Sequence, residues 1–84
     1  MSERIITNEL IDSFNMYLYE EERSENTIEK YMRDIYFFCG WLGNESIDKS
    51  VIVKYKKELC GRYAVKSVNS MLSSINAFFV FMGW

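Results

Sequence analysis

The sequence predicts an all-α fold, a compact bundle of four helices that forms one domain over residues 1–84. The chain has no proline, and its four glycines lie near the ends of apolar stretches with helical periodicity. Hydrophobic residues make up 49% of the sequence and aromatic residues 17%. This apolar content lets so short a chain bury a core, and the distribution of glycine favours helices over a sheet.

The first helix is expected from about Asn8 to Glu21, with Thr7 or Asn8 as its N-cap. Its apolar residues recur at the spacing of one helical face. They are Leu10, Phe14, Tyr17 and Leu18. The acidic run at residues 20–22 that follows is expected to be a solvated surface rather than a site.

The second helix is expected from Ser24 to about Gly43. The Ser24 hydroxyl can accept a hydrogen bond from the free backbone N–H of Thr27, and Gly43 is a typical C-terminal stop. Steps of three and four residues keep its apolar side chains on one face. They are Ile28, Tyr31, Ile35, Phe38 and Leu42, with Trp41 beside them.

The third helix is expected to begin at Asp48 or Ser50 and to end near Gly61. Three apolar residues are expected to face inward and three lysines outward. The inward residues are Ile52, Tyr55 and Leu59, and the outward ones are Lys54, Lys56 and Lys57.

The fourth helix is expected from Val65 or Lys66 to Met82, with Gly83 as its stop. Its predicted apolar stripe is Val68, Leu72, Ile75, Phe79 and Met82. The opposite face carries short hydroxyl and amide side chains, which are only moderate helix formers. Two explanations fit this face: contact with the phosphates and base edges of DNA, or close packing against another helix. Lys66, beside the free N–H groups of the helix start, favours phosphate contact.

The residue types exclude most catalytic classes. The chain has no histidine, which excludes imidazole catalysis and histidine metal ligands. Cys39 and Cys60 lack metal-binding spacing and are expected to be buried free thiols in a reducing cytoplasm. There is no glycine-rich phosphate loop, signal peptide or membrane-spanning apolar run. We therefore expect no catalytic set, no metal, no cofactor, no small-molecule substrate and no membrane association.

The order of residue types over most of the chain resembles one known family. Ser24, Thr27, Tyr31, Phe38 and Trp41 are similar to the second-helix signature of the N-terminal, SAM-like core-binding domain of tyrosine recombinases, the phage integrase family. The stretch SVNSMLSSINAFFVFMGW at residues 67–84 resembles the last helix of that domain. The resemblance implies a SAM-like four-helix bundle excised from a longer recombinase whose C-terminal catalytic domain is absent.

The resemblance also implies a function: helices 2 and 4 clamp duplex DNA and position it for the catalytic domain. Partners would be duplex DNA and neighbouring recombinase subunits. The implied contacts on helix 2 are Ser24, Asn26, Thr27, Lys30 and Arg33. Those on helix 4 are Lys66, Ser67, Asn69, Ser70, Ser73 and Ser74. The nucleophilic tyrosine of the family belongs to the separate domain, so none of the tyrosines here takes that role.

The charge balance is unusual for a DNA-binding domain. Ten basic and twelve acidic residues give a formal net charge of −2, whereas phosphate contacts usually require a basic surplus. The alternative is a helical protein–protein interaction module that does not bind DNA. A contiguous exposed patch formed by Tyr36, Phe37 or Trp84 would favour that alternative.

Overall fold

The computed structural model describes residues 5–43 and 45–84 of the chain. It contains four helices: α1 (Asn8–Glu20), α2 (Glu25–Leu42), α3 (Lys49–Cys60) and α4 (Val65–Met82). The described ranges contain no strand, and the all-α, SAM-like prediction is confirmed. Each predicted helix boundary agrees with the observed one to within one residue.

Side-chain caps explain where the first three helices begin. Thr7 Oγ1 accepts from Leu10 N at 3.2 Å, and Ser24 Oγ accepts from Thr27 N at 3.2 Å. Asp48 Oδ1 likewise accepts from the first turn of α3 at 2.9 Å. By contrast, α4 begins after Ala64, which makes no side-chain cap hydrogen bond. Its first backbone N–H groups therefore lack the partner that the caps provide elsewhere.

The core lies between α2 and α4, which pack most extensively, with α1 against α2 and α3 against α4. Phenylalanine rings from three helices meet there. Phe14 and Phe78 have ring centroids 5.1 Å apart, and Phe38 packs edge-on against Tyr55 at 4.7 Å. Aromatic pairs of this geometry add to the hydrophobic effect of burial. Four fully buried aromatic residues therefore fill this core: Phe14, Phe38, Tyr55 and Phe78.

The inward face of α4 differs from the predicted stripe. Val68 and Ile75 are buried as expected, but Phe78 is buried in place of Phe79, which is only partly buried. Ser74 is also buried. Because α4 packs against both α2 and α3, the side of the helix that is buried differs from the apolar stripe predicted from residue spacing alone.

Smaller differences occur in α1 and α3. In α1, Ile11 is buried besides the predicted Phe14 and Leu18, whereas Leu10 is only partly buried and Tyr17 is exposed. In α3, Val51 is buried besides the predicted Tyr55 and Leu59, whereas Ile52 is only partly buried. The prediction of two buried thiols is wrong for Cys60, which lies exposed at the end of α3, and Cys39 is only partly buried. These helices each bury one narrow face, and the neighbouring helix decides which of two adjacent apolar residues occupies it.

The turn after α1 places a non-glycine residue in a left-handed conformation. Glu22 has φ +57°, the only such non-glycine residue in the described ranges. The backbone N–H of Arg23 bonds to the carbonyl of Leu18 at 3.3 Å, which closes the helix end. The left-handed region costs a residue with a Cβ about 1–2 kcal/mol, so this turn stores strain.

We expect Glu22→Gly to raise the free energy of unfolding by about 0.5–1 kcal/mol, because glycine adopts positive φ without the Cβ clash. Urea unfolding measures the change. Glu22→Ala is the matched control, since it removes the same carboxylate but keeps the Cβ. Equal stability of the two variants would contradict a strained turn.

Tyr55 has a buried hydroxyl without a hydrogen-bond partner among the described residues. Burial, followed by the nearby Asp34 charge, raises the pKa of Tyr55 from 10.0 to about 12. An unpaired buried polar group destabilises a fold. Its ring, however, packs against Phe38 and Trp41, with centroids 4.7 and 5.0 Å away. The ring therefore stabilises the core, whereas the unpaired hydroxyl destabilises the fold.

We expect Tyr55→Phe to raise the free energy of unfolding by roughly 1 kcal/mol. In the wild type, the unfolded chain loses the tyrosine proton near pH 10 and the folded chain only near pH 12. Ionisation of Tyr55 therefore leaves the free energy of unfolding unchanged below pH 10 and lowers it as the pH rises towards 12. Urea unfolding between pH 9 and 11.5 should show a shallower decline for the variant. A steeper decline for Tyr55→Phe would contradict this assignment.

Candidate nucleic-acid interface

A buried polar cluster joins α2 to α4 at the centre of the predicted interface. Lys30 Nζ donates to Asp34 Oδ2 at 2.7 Å, to the Ser70 carbonyl at 3.2 Å and to Ser74 Oγ at 3.0 Å. Ser74 Oγ in turn donates to Asp34 Oδ2 at 2.7 Å. We call Lys30, Asp34, Ser70 and Ser74 the α2–α4 polar cluster.

The cluster explains why each of its residue types is present. Asp34 is only 6% exposed, and a buried carboxylate requires a cation and hydrogen-bond donors. Lys30, one turn earlier on the same helix, supplies the cation. Ser74 supplies a hydroxyl with a side chain short enough to sit between the two helices. The cluster therefore satisfies its own polar groups.

Because of this arrangement, two of the predicted DNA contacts, Lys30 and Ser74, use their polar groups within the domain. Lys30 has three N–H donors, and all three have partners inside the domain. Ser74 is 0% exposed, so the expectation that it lies on the surface is wrong. For Ser74 the second explanation of the polar face, close packing against another helix, is the correct one. Burial of Asp34 is the physical reason for both changes.

Several predicted contacts do lie together in one groove. We call it the α2–α4 groove. It is lined by Lys30, Arg33, Asp34, Phe37, Tyr63, Ser67, Ser70 and Met71. Arg33 is exposed on α2 and Ser67 on the first turn of α4. The structure thus brings Lys30 and Arg33 of α2 to the same concave surface as Ser67 and Ser70 of α4, although the two pairs are more than thirty residues apart in the sequence.

The other predicted contacts lie at the starts and outer faces of the same helices. Lys66, Asn69 and Ser73 are exposed on α4. Asn26 is exposed in the first turn of α2. Ser24 is also exposed, but its hydroxyl caps α2 and donates to Thr27 Oγ1 at 2.9 Å. These side chains are accessible, and they lie outside the set of residues that line the α2–α4 groove.

The basic side chains near these helices differ in whether an acidic partner already neutralises their charge. Lys30 is paired with Asp34, and Arg62 Nη2 lies 2.9 Å from Glu58 Oε1. Arg33 and Lys66 form no salt bridge within the described ranges. Arg33 and Lys66 are therefore the two cations of the predicted set whose charge is open to an anion.

Exposed aromatic side chains form a second groove between α2 and α3. It is lined by Tyr36, Phe37, Gly40, Trp41, Glu58 and Arg62. Trp84 lies elsewhere, packed against Phe79 at a ring-centroid distance of 5.8 Å. Of the three aromatic residues considered from the sequence, Tyr36 and Phe37 therefore share a surface and Trp84 does not line it.

A metal site, a membrane span and a thiol nucleophile each place a requirement on the described residues. Across residues 5–43 and 45–84, no three histidine, cysteine or acidic side chains converge as metal ligands. Within the same described residues, no helix combines the length and the apolarity that a bilayer span requires. Burial raises the pKa of the Cys39 thiol, which disfavours its nucleophilic thiolate form.

Sequence reasoning missed two residues of this region. Asp34 was not singled out, although its position four residues after Lys30 is the spacing of a helical ion pair. Tyr63 lies in the connection between α3 and α4, and it lines the α2–α4 groove only because the chain returns to α2 there. No sequence pattern marks that return.

Comparison with known proteins gives one match. The sequence model of a family described as "Phage integrase, N-terminal SAM-like domain" matches residues 11–84. No curated protein and no solved structure gives a significant match to the chain. The family match confirms the resemblance inferred from the residues.

We expect Lys30→Met to lower the free energy of unfolding by about 2 kcal/mol, because it leaves the buried Asp34 carboxylate unpaired. This is below the usual range for a buried pair because the Lys30 side chain is 35% exposed. Urea unfolding measures the loss. Lys54→Met, at an exposed α3 position, is the matched control. Adding Asp34→Leu to Lys30→Met should restore part of the stability, and no restoration would contradict the pairing.

Proposed function

The chain belongs to the family of phage integrase N-terminal SAM-like domains, and from that premise we propose that it binds duplex DNA through α2 and α4. In this proposal the domain clamps one side of the duplex and positions it for a separate catalytic domain of a tyrosine recombinase. Neighbouring recombinase subunits are further partners. Cutting and joining of DNA strands belong to the catalytic domain.

The observation that carries the proposal is the placement of polar side chains from both helices around one groove. Arg33 comes from α2, and Ser67 and Ser70 come from α4. Arginine and serine are common donors to phosphate oxygens and base edges. The polar cluster beneath them limits movement of one helix relative to the other, which favours a preformed surface.

The start of α4 is the proposed phosphate contact. It has no side-chain cap, so its first N–H groups are available to an external acceptor. Lys66 lies exposed in the same turn. The exposed Asn69 and Ser73 continue this surface with neutral donors. The acceptor proposed here is a phosphate of the DNA backbone.

The two available cations set the expected strength of binding. With Arg33 and Lys66 as the phosphate contacts, the logarithm of affinity should fall with the logarithm of salt concentration with a slope of about −2. Such binding is weak at physiological salt. The net charge of −2 for the chain agrees with a domain that orients DNA while other contacts of the recombinase hold it.

A protein–protein interaction module is the second candidate function. The groove between α2 and α3 supports it, because Tyr36 and Trp41 are exposed there beside the Arg62–Glu58 pair. Exposed aromatic surface of this kind is typical of protein interfaces. The two functions are compatible, since a recombinase domain contacts DNA on one face and a neighbouring subunit on another.

We expect the double variant Arg33→Ala/Lys66→Ala to weaken binding of a mixed-sequence duplex by about 10-fold or more at 50 mM salt, because two phosphate contacts are lost. An NMR titration of the labelled domain measures this, since it detects weak binding and reports the responding residues. The melting temperature should remain unchanged because both side chains are exposed.

The charge-matched control is Lys54→Ala/Lys56→Ala on the outer face of α3, which should change affinity by less than about 2-fold at that salt concentration. Equal weakening by both double variants would assign binding to net charge and reject the α2–α4 face. A wild-type titration without shifts in α2 or α4 would reject DNA binding and leave the protein-interaction function.

A further inference from the structure

The α2–α4 groove holds two exposed aromatic rings beside its polar groups. Phe37 is 40% exposed and Tyr63 is 39% exposed. Their ring centroids are 6.4 Å apart with an interplanar angle of 74°, so the rings meet edge to face. Duplex phosphates need no aromatic surface, because they are bound by charge and hydrogen bonds. These rings therefore require a different explanation.

Nucleobases that are not paired bind to surfaces of this composition. A base stacks on an aromatic side chain, its edge forms hydrogen bonds with short polar groups, and the adjoining phosphate pairs with a cation. The groove contains all three kinds of group: Phe37 and Tyr63, the hydroxyl-bearing Ser67 and Ser70, and Arg33.

The charges in the groove complement a phosphate. Arg33 is exposed and forms no salt bridge within the described ranges. The single carboxylate that lines the groove, Asp34, is already paired with Lys30 at 2.7 Å. An incoming phosphate thus meets an available cation and a neutralised acid, so its approach is favoured.

Two further grooves that contain both aromatic rings and an arginine lack this combination. The cavity between α1, α2 and α4 contains Tyr17, Phe81 and Arg23, but Arg23 directly follows the acidic run at residues 20–22, which repels phosphate. In the groove between α2 and α3, the arginine is ion-paired with Glu58, and no hydroxyl-bearing side chain other than that of Tyr36 lines it.

We propose that the α2–α4 groove binds an unpaired nucleobase of single-stranded DNA, stacked on one of the perpendicular Phe37 and Tyr63 rings and in edge contact with the other, with its phosphate on Arg33. This inference rests on the proposed function, because it uses the same face of the domain. It extends that function from the intact duplex to the unpaired or frayed segments that strand exchange exposes. A base within a duplex cannot reach the rings, because its faces are already stacked.

The test compares two DNA probes. The first is an oligothymidine of eight nucleotides, and the second is a blunt mixed-sequence duplex of twelve base pairs, both titrated into the labelled domain at 50 mM salt. We expect Phe37→Ala and Tyr63→Ala each to weaken oligothymidine binding about 5-fold or more, because each removes one contact between the base and an aromatic ring. Duplex affinity should change less than about 2-fold, since the rings touch no phosphate.

Tyr36→Ala is the matched control, because it removes an exposed ring from the adjacent position of the same helix, outside this groove. It should leave oligothymidine affinity unchanged. Thermal unfolding of all three variants checks that the fold is intact. If Phe37→Ala fails to fold, Tyr63→Ala in the interhelix connection tests the same groove.

The possible failures distinguish the two proposals. Duplex binding without oligothymidine binding overturns the base site and leaves the proposed function standing. Oligothymidine binding that Tyr36→Ala weakens as much as Phe37→Ala does overturns the assigned groove. Absence of binding to both probes overturns the proposed function and, with it, the base site.

Discussion

The buried carboxylate of Asp34 is the constraint on which the arrangement of α2 and α4 depends. A charge removed from water is tolerated only where a cation and hydrogen-bond donors reach it. Lys30 and Ser74 do so at 2.7 Å each, and they come from the two helices that pack most extensively. Sliding or rotation of α4 against α2 would remove the Ser74 hydroxyl and leave this buried acid with Lys30 of its own helix alone. The cluster therefore selects one register for the two helices that carry the proposed interface.

Polar groups that form hydrogen bonds within the domain are not available to bind DNA or another protein. Lys30 and Ser74 are committed to the fold, so the proposed contact with DNA relies on Arg33, Lys66 and neutral side chains. With a net charge of −2 and only Arg33 and Lys66 as available cations on the proposed interface, the domain is suited to orienting DNA rather than to holding it alone. Close helix packing and a modest cationic surface thus have a common origin in the α2–α4 polar cluster.

The aromatic residues divide between two roles in the same way. Phe14, Phe38 and Phe78 are buried and fill the core of a chain too short to form a larger one. Tyr36, Phe37 and Tyr63 are exposed and line grooves. In this chain of 84 residues, some rings therefore stabilise the fold while others form the exposed surface on which the proposed recognition relies.

Local signals determined the helices and the family of this protein. Caps such as Ser24, the absence of proline and the 3.6-residue periodicity act within a few residues, so the sequence alone predicts the four helices and their bounds. The exposed Arg33 and Lys66 were also predictable as surface cations. Tertiary structure alone decided that Ser74 is buried, that Phe78 replaces Phe79 in the core, and that Tyr63 joins the α2–α4 groove. These outcomes depend on which helix packs against which face, and that choice is set by contacts between residues distant in the chain.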